Sequence, residues 1–188
     1  ICCHGDGAAQ SAIELLADVN AMLLPGLKTD VREIAAAFLF DADDSLADRE
    51  KTFATAYLRL LQGVAAPTHG KWVKGSHRVG LYVFHDQTNQ KGTLEELLAP
   101  LVEAEWGARW RGADDYLKKY AQGADPVKTR RAEWLKAQIN TTGQFLFPGD
   151  PMSVVIGKPR GAKPGLPDTH FIGAESQFLV SFLQGVPW

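Results

Sequence analysis

Apolar positions along this chain gather into short continuous runs, separated by stretches where they recur every three or four residues. Such alternation predicts an α/β protein with a mainly parallel sheet flanked by helices. Ile1 to His4 reads as the end of a strand, Gly5-Asp6-Gly7 as a turn, and Ser11 to Leu24 as a helix stopped by Pro25-Gly26. Ile34 to Phe40, IAAAFLF, is an apolar run flanked by charges, the pattern of a central parallel strand buried on both faces. Ser45-Leu46-Ala47-Asp48 then has the form of a capped helix start. Phe53, Tyr57 and Leu60 share one helical face, and Gly63 suits the exit.

Ala65 to Gly75 contains Pro67, Gly70 and Gly75 and reads as a loop, and Arg78 to Phe84, RVGLYVF, reads as a second strand. Thr93-Leu94-Glu95-Glu96 has the capping-box pattern. It opens a helix with Leu94, Leu97, Leu98 and Leu101 facing inward and Pro100 expected to bend it early. Further helices are predicted at about Ala113 to Ala121, Val127 to Ile139 and Glu175 to Leu183. At 188 residues the whole reads as one domain, with residues 107–188 as its mostly helical C-terminal extension. Trp106, Trp110, Tyr116, Tyr120 and Trp134 are expected to pack helices together rather than to offer platforms for nucleic-acid bases.

Composition narrows the class without choosing within it. Hydrophobic residues make up 45% and charged residues 22%, which is ordinary for a globular chain. A net charge of -2 gives no global footprint for nucleic acid, so any such binding must rest on a local patch. No apolar run reaches the length of a membrane span, and Ile1-Cys2-Cys3-His4-Gly5 lacks the regions of a signal peptide, so a cytoplasmic protein is expected. The adjacent Cys2 and Cys3 cannot staple distant segments. With His4 they form at most part of a zinc ligand set that lacks its second cluster.

The sharpest chemistry is in Phe38-Leu39-Phe40-Asp41-Ala42-Asp43-Asp44-Ser45, where an apolar strand delivers carboxylates to its C-terminal end. If that stretch is extended, Asp41 and Asp43 point to one side. Two close carboxylates are costly to ionise together unless a cation joins them, and their hard oxygens suit Mg²⁺ or Mn²⁺. The alternative is that Asp43, Asp44 or Ser45 caps the following helix, which accounts for part of the cluster but not for Asp41. Three basic groups are candidates for phosphate contacts: Lys71, Lys74, His77 and Arg78; Lys128, Arg130, Arg131 and Lys136; and Lys158, Arg160 and Lys163. Lys128 and Lys163 are the preferred auxiliary lysines, although solvation alone explains each group. His4-Gly5-Asp6-Gly7 could cradle an anion before a helix, but it lacks a full phosphate-loop pattern, and a tight turn is the simpler reading.

The strand-Asp41-Ala42-Asp43-helix unit resembles the second motif of Toprim domains. Together with GLYVFHDQTNQKGTLEELL, the chain looks like a group of Toprim-like proteins related to the OLD-family nucleases. In that group an acidic residue, a short polar loop, a Gly and a Leu-Glu-acidic triplet follow a strand; here these are Asp86, Gly92 and Leu94-Glu95-Glu96. The resemblance is strongest from Ile34 to Leu98. It implies Asp41 and Asp43 as metal ligands, Asp86 and Glu95 as further acids, catalysis by Asp41, Asp43 and Glu95, and metal-assisted cleavage of nucleic-acid phosphodiesters. It also implies that the family's first strand and helix, with their glutamate, precede Ile1. Glu95 and Glu96 have a structural alternative as first-turn acids, and Asp86 as a turn residue. Two other functions fit the same motif: a haloacid-dehalogenase-like phosphatase with Asp41 as nucleophile, and a non-catalytic Toprim-like module that contacts a partner protein or a second copy of itself.

Overall fold

The computed structural model describes residues 35–58, 64–75, 78–121, 131–149, 156 and 165–185. The strand, turn and helix expected between Ile1 and Leu24 lie outside the described residues, as do Leu60 and Gly63. The protein is α/β, with a small mixed three-stranded sheet and four α-helices among the described residues. It divides into two compact units. One comprises Ile1–Val83 with Phe178–Trp188, and the other Phe84–Gln177.

In the first unit, strand β1 (Ala35–Asp41) leads into helix α1 (Leu46–Ala56). The hairpin strands β2 (Lys71–Lys74) and β3 (Arg78–Phe84) complete the sheet in the order β1-β3-β2. β3 is the buried strand: Val79 to Val83 are all buried, and Leu81 and Val83 are fully enclosed. β1 instead alternates. Ala36, Phe38 and Phe40 pack on the core, while Leu39 is 44% exposed. The unbroken run of apolar letters in β1 suggested burial on both faces, but three of its seven residues are alanines. A methyl group costs little to leave in water, so the letters alone do not reveal which face is covered. Phe38, Phe40, Phe53 and Tyr57 form one aromatic cluster between β1 and α1. Phe38 and Tyr57 have ring centroids 4.5 Å apart, and Phe53 and Tyr57 4.6 Å apart.

β2 lies where the glycines and proline suggested a loop. It pairs antiparallel with β3, Trp72 opposite Gly80 and Val73 opposite Val79. The Trp72 ring lies so close to β3 that a Cβ at Gly80 would fall 2.6 Å from it, so only glycine fits there. The indole N–H donates to the Phe182 carbonyl at 3.0 Å, and the Trp72 and Phe182 rings stack at 5.1 Å. Phe182 belongs to α4 (Ala174–Gln184), the helix that carries the chain from the second unit back into the first.

The second unit holds α2 (Leu94–Tyr120), α3 (Arg131–Leu146) and a short 3₁₀ turn (Asp168–Phe171). Its core joins Leu98, Val102, Trp106, Trp110, Ile139 and Leu166. Inside this core the Gln138 amide donates to the Trp110 carbonyl at 3.1 Å, and the Thr142 hydroxyl to the Gln138 carbonyl at 2.8 Å, so these buried polar groups are satisfied. The helix expected to bend at Pro100 and the separate one expected from Ala113 join across a kink within α2. Its break in helical geometry falls at Trp106 (φ -127, ψ 38), not at Pro100. Among the described residues no helix is long and apolar enough to cross a membrane.

Candidate functional site

β1 ends at Asp41, Ala42 is buried, and Asp43 takes a left-handed backbone with φ 51. Asp and Asn tolerate this conformation better than other residues with a Cβ, because a short polar side chain can bond locally. The chain then closes a turn, with the Ser45 amide donating to the Ala42 carbonyl at 3.1 Å. Ser45 caps α1, its hydroxyl accepting from the Asp48 amide at 3.2 Å. The extended geometry that would place Asp41 and Asp43 on one side therefore stops at Asp43. The cap proves to be Ser45, which frees both aspartates from that duty.

Arg49, one turn into α1, reaches back over this corner. Its Nε donates to the Asp41 carbonyl at 2.8 Å, and its Nη2 pairs with Asp43 Oδ2. The guanidinium also lies over the Phe40 ring, 5.8 Å from the centroid. Both partners of the ion pair are about one-third exposed, Arg49 at 31% and Asp43 at 33%, so solvent and salt reach it. None of the basic groups singled out in the sequence includes Arg49. The signal was available in the spacing, because a residue four positions past an N-cap returns to the face above the cap.

Asp86 and Glu95 belong to the second unit. Asp86 Oδ1 accepts from the Thr88 amide at 2.7 Å and from the Asn89 amide at 3.3 Å. A backbone bridge between Asp86 and Lys91 and a left-handed Gln90 (φ 56) close the same loop. These contacts make Asp86 a turn-forming residue. At the start of α2 the capping box is complete: the Glu96 amide donates to the Thr93 hydroxyl at 3.4 Å, and the Thr93 amide to Glu96 Oε2 at 3.2 Å. Glu96 also meets Arg131 at 3.2 Å, whereas Glu95 is a half-buried acid of the first turn.

Of the basic candidates, Lys71 and Lys74 are the exposed ends of β2, Arg78 opens β3, and Arg131 and Lys136 lie exposed on α3. His77, Lys128, Arg130, Lys158, Arg160 and Lys163 fall outside the described residues, as do Cys2, Cys3 and the His4-Gly5-Asp6-Gly7 turn.

Asp41 and Asp43 supply hard oxygen donors, the chemistry that Mg²⁺ or Mn²⁺ takes. They are the residues that would hold such a cation, and Arg49 competes for Asp43. Among the described residues no three His, Cys, Asp or Glu side chains come together as a metal-holding group. Comparison of the chain with family models, with curated proteins and with solved structures gives no match.

Proposed function

We propose that this chain is a Toprim-like, metal-dependent phosphoryl-transfer protein that cleaves nucleic-acid phosphodiesters, with Asp41 and Asp43 as its acidic centre. The observation that carries this reading is the corner itself. An apolar strand ends on Asp41, and Asp43 directly follows a buried Ala42, three residues before a helix capped by a different residue. Sites in α/β proteins collect at such carboxyl ends of strands. A bound Mg²⁺ or Mn²⁺ would polarise a phosphate oxygen and make water a better nucleophile.

The protein's own part is to fix the donors. The Arg49 hydrogen bond to the Asp41 carbonyl holds the strand end, and the left-handed Asp43 turns the chain toward α1. Arg49 also supplies positive charge beside the acids, where a phosphate's negative charge is accommodated. Asp86 and Glu95 enter this reading as further acids through the family resemblance alone. The same holds for the mainly parallel Toprim sheet, a cytoplasmic location, and Lys128 and Lys163 as phosphate contacts.

One observation favours the non-catalytic alternative. Arg49 already pairs with the Asp43 carboxylate and bonds the Asp41 carbonyl, as in a structural corner. Plasmid nicking separates the two readings. Supercoiled DNA is incubated with the full chain and Mg²⁺ or Mn²⁺, beside Asp41→Asn and Asp43→Asn. The proposal expects metal-dependent nicking that falls at least about a hundredfold in both variants, the scale of losing a transition-state contact. Nicking that both variants retain, or none from the folded wild-type chain, would overturn it.

A further inference from the structure

Two tyrosines expected to pack inside the helical unit, Tyr116 and Tyr120, instead stand on its surface beside Phe145. Tyr116 is 48% exposed, Tyr120 56% and Phe145 44%, whereas Trp106 and Trp110 are buried in the same unit. The three rings form one group. The Tyr116 and Tyr120 centroids are 5.0 Å apart, and Phe145 meets Tyr116 edge-on at 6.0 Å. Lys119 Nζ lies 5.0 Å from the Tyr120 ring centre. Its neighbour Lys118 pairs with Asp114, a hydrogen bond that raises the Lys118 pKa and keeps the amine charged.

The charges along α2 are segregated. From Leu94 to Trp106 the helix carries Glu95, Glu96, Glu103 and Glu105 and no lysine or arginine. From Gly107 to Tyr120 it carries Arg109, Arg111, Lys118 and Lys119 against Asp114 and Asp115, and α3 adds Lys136 against Glu133, while its Arg131 pairs with Glu96 at the acidic start of α2. All six of these basic side chains are exposed. The aromatic group therefore sits at the basic end of the unit, in a chain whose net charge is -2. Aromatic faces interleaved with cations suit a ligand that alternates flat rings with negative charges. An aliphatic partner surface would leave the lysines unmatched.

We infer that Tyr116, Tyr120 and Phe145, with Lys119, form a stacking platform for single-stranded nucleic acid. Bases lie on the rings and phosphates meet the lysines, and nothing in this surface depends on the acids at the end of β1. Stacking on an aromatic side chain contributes about 1–3 kcal/mol per base, and lysine contacts make the affinity fall with salt.

The test is fluorescence anisotropy of labelled oligothymidylate and oligouridylate, each of about 16 nucleotides, titrated with the full chain in chelator so that no cleavage intervenes. Binding is expected, and Tyr116→Leu combined with Phe145→Leu should weaken it about tenfold or more, the scale of one lost stacking contact. Tyr116→Phe, which keeps the ring, should retain it, and Lys119→Gln should flatten the salt dependence. The assay reads binding in chelator and needs no cleavage, so a failure of the nuclease reading leaves this result readable. No binding, or binding that the leucine variants leave unchanged while circular dichroism reports them folded, overturns the proposal. So does a dimer seen by light scattering that the leucine variants dissolve without any effect of oligonucleotide.

Discussion

Two acid-bearing turns of this protein, the corner after β1 and the loop that opens α2, look alike in sequence and are held in different ways. Around Asp86 and Glu96 the carboxylates accept backbone amides: Thr88 and Asn89 on Asp86, and Thr93 on Glu96. At the corner, Asp43 is held by the side chain of Arg49, which is part-exposed and long. An acid that caps its own backbone leaves its task only by breaking local structure. An acid paired with a side chain can exchange that partner for another cation. Exchangeability, more than acidity, marks the β1 corner as the better candidate for chemistry.

The largest expected effect breaks the platform beneath the corner. Phe53 is 1% exposed and packs against Phe38 and Tyr57. Phe53→Ala should cost about 3–5 kcal/mol in urea unfolding. A loss under 1 kcal/mol would mean that α1 does not rest on β1 as described.

A sharper cut follows at Asp43, where backbone and charge can be separated. Asp43→Asn keeps a residue suited to φ 51 and should lose the ion pair with Arg49, about 0.2–1 kcal/mol, a loss that shrinks as salt is added. Asp43→Ala should lose about 1–2 kcal/mol more, because alanine has no local bond to offset the left-handed strain. Equal losses in the two variants would show that the turn conformation contributes nothing.

The matching cut lies in the second turn. Thr93→Ala removes one half of the capping box and should cost about 1 kcal/mol. Adding salt should leave most of that cost in place, because the lost contact is a hydrogen bond to the backbone. If it vanished in high salt, the contrast between the two turns would fail.

Much of this contrast was legible beforehand. Arg78 to Phe84 was delimited as observed, Ser45 and the capping box announced their helices, and α4 fell within a residue of its expected ends. These features rest on local rules: apolar runs, caps and their spacing. β2 was not legible, because four residues between Gly70 and Gly75 are too few for a period to be counted, and its strand exists only through pairing with β3. The left-handed Asp43 and the reach of Arg49 were hidden for a related reason, since neither alters the pattern of apolar letters. Of the aromatic residues, the tryptophans in the core followed expectation. The exposure of Tyr116 and Tyr120 depends on where α3 runs, which their own segment does not encode.

The bond from Trp72 to the Phe182 carbonyl spans 110 positions of sequence. During synthesis the β2–β3 hairpin emerges first, and the Trp72 indole can settle against Gly80 at once, but its partner on α4 has not yet been made. At the usual pace of translation the delay is roughly 5–20 s, longer than a hairpin or a helix needs to form. In that interval Phe84–Gln177, a continuous stretch, can fold on the ribosome while the first unit waits with one aromatic surface open. The order of manufacture thus makes the unit that begins first the one that finishes last.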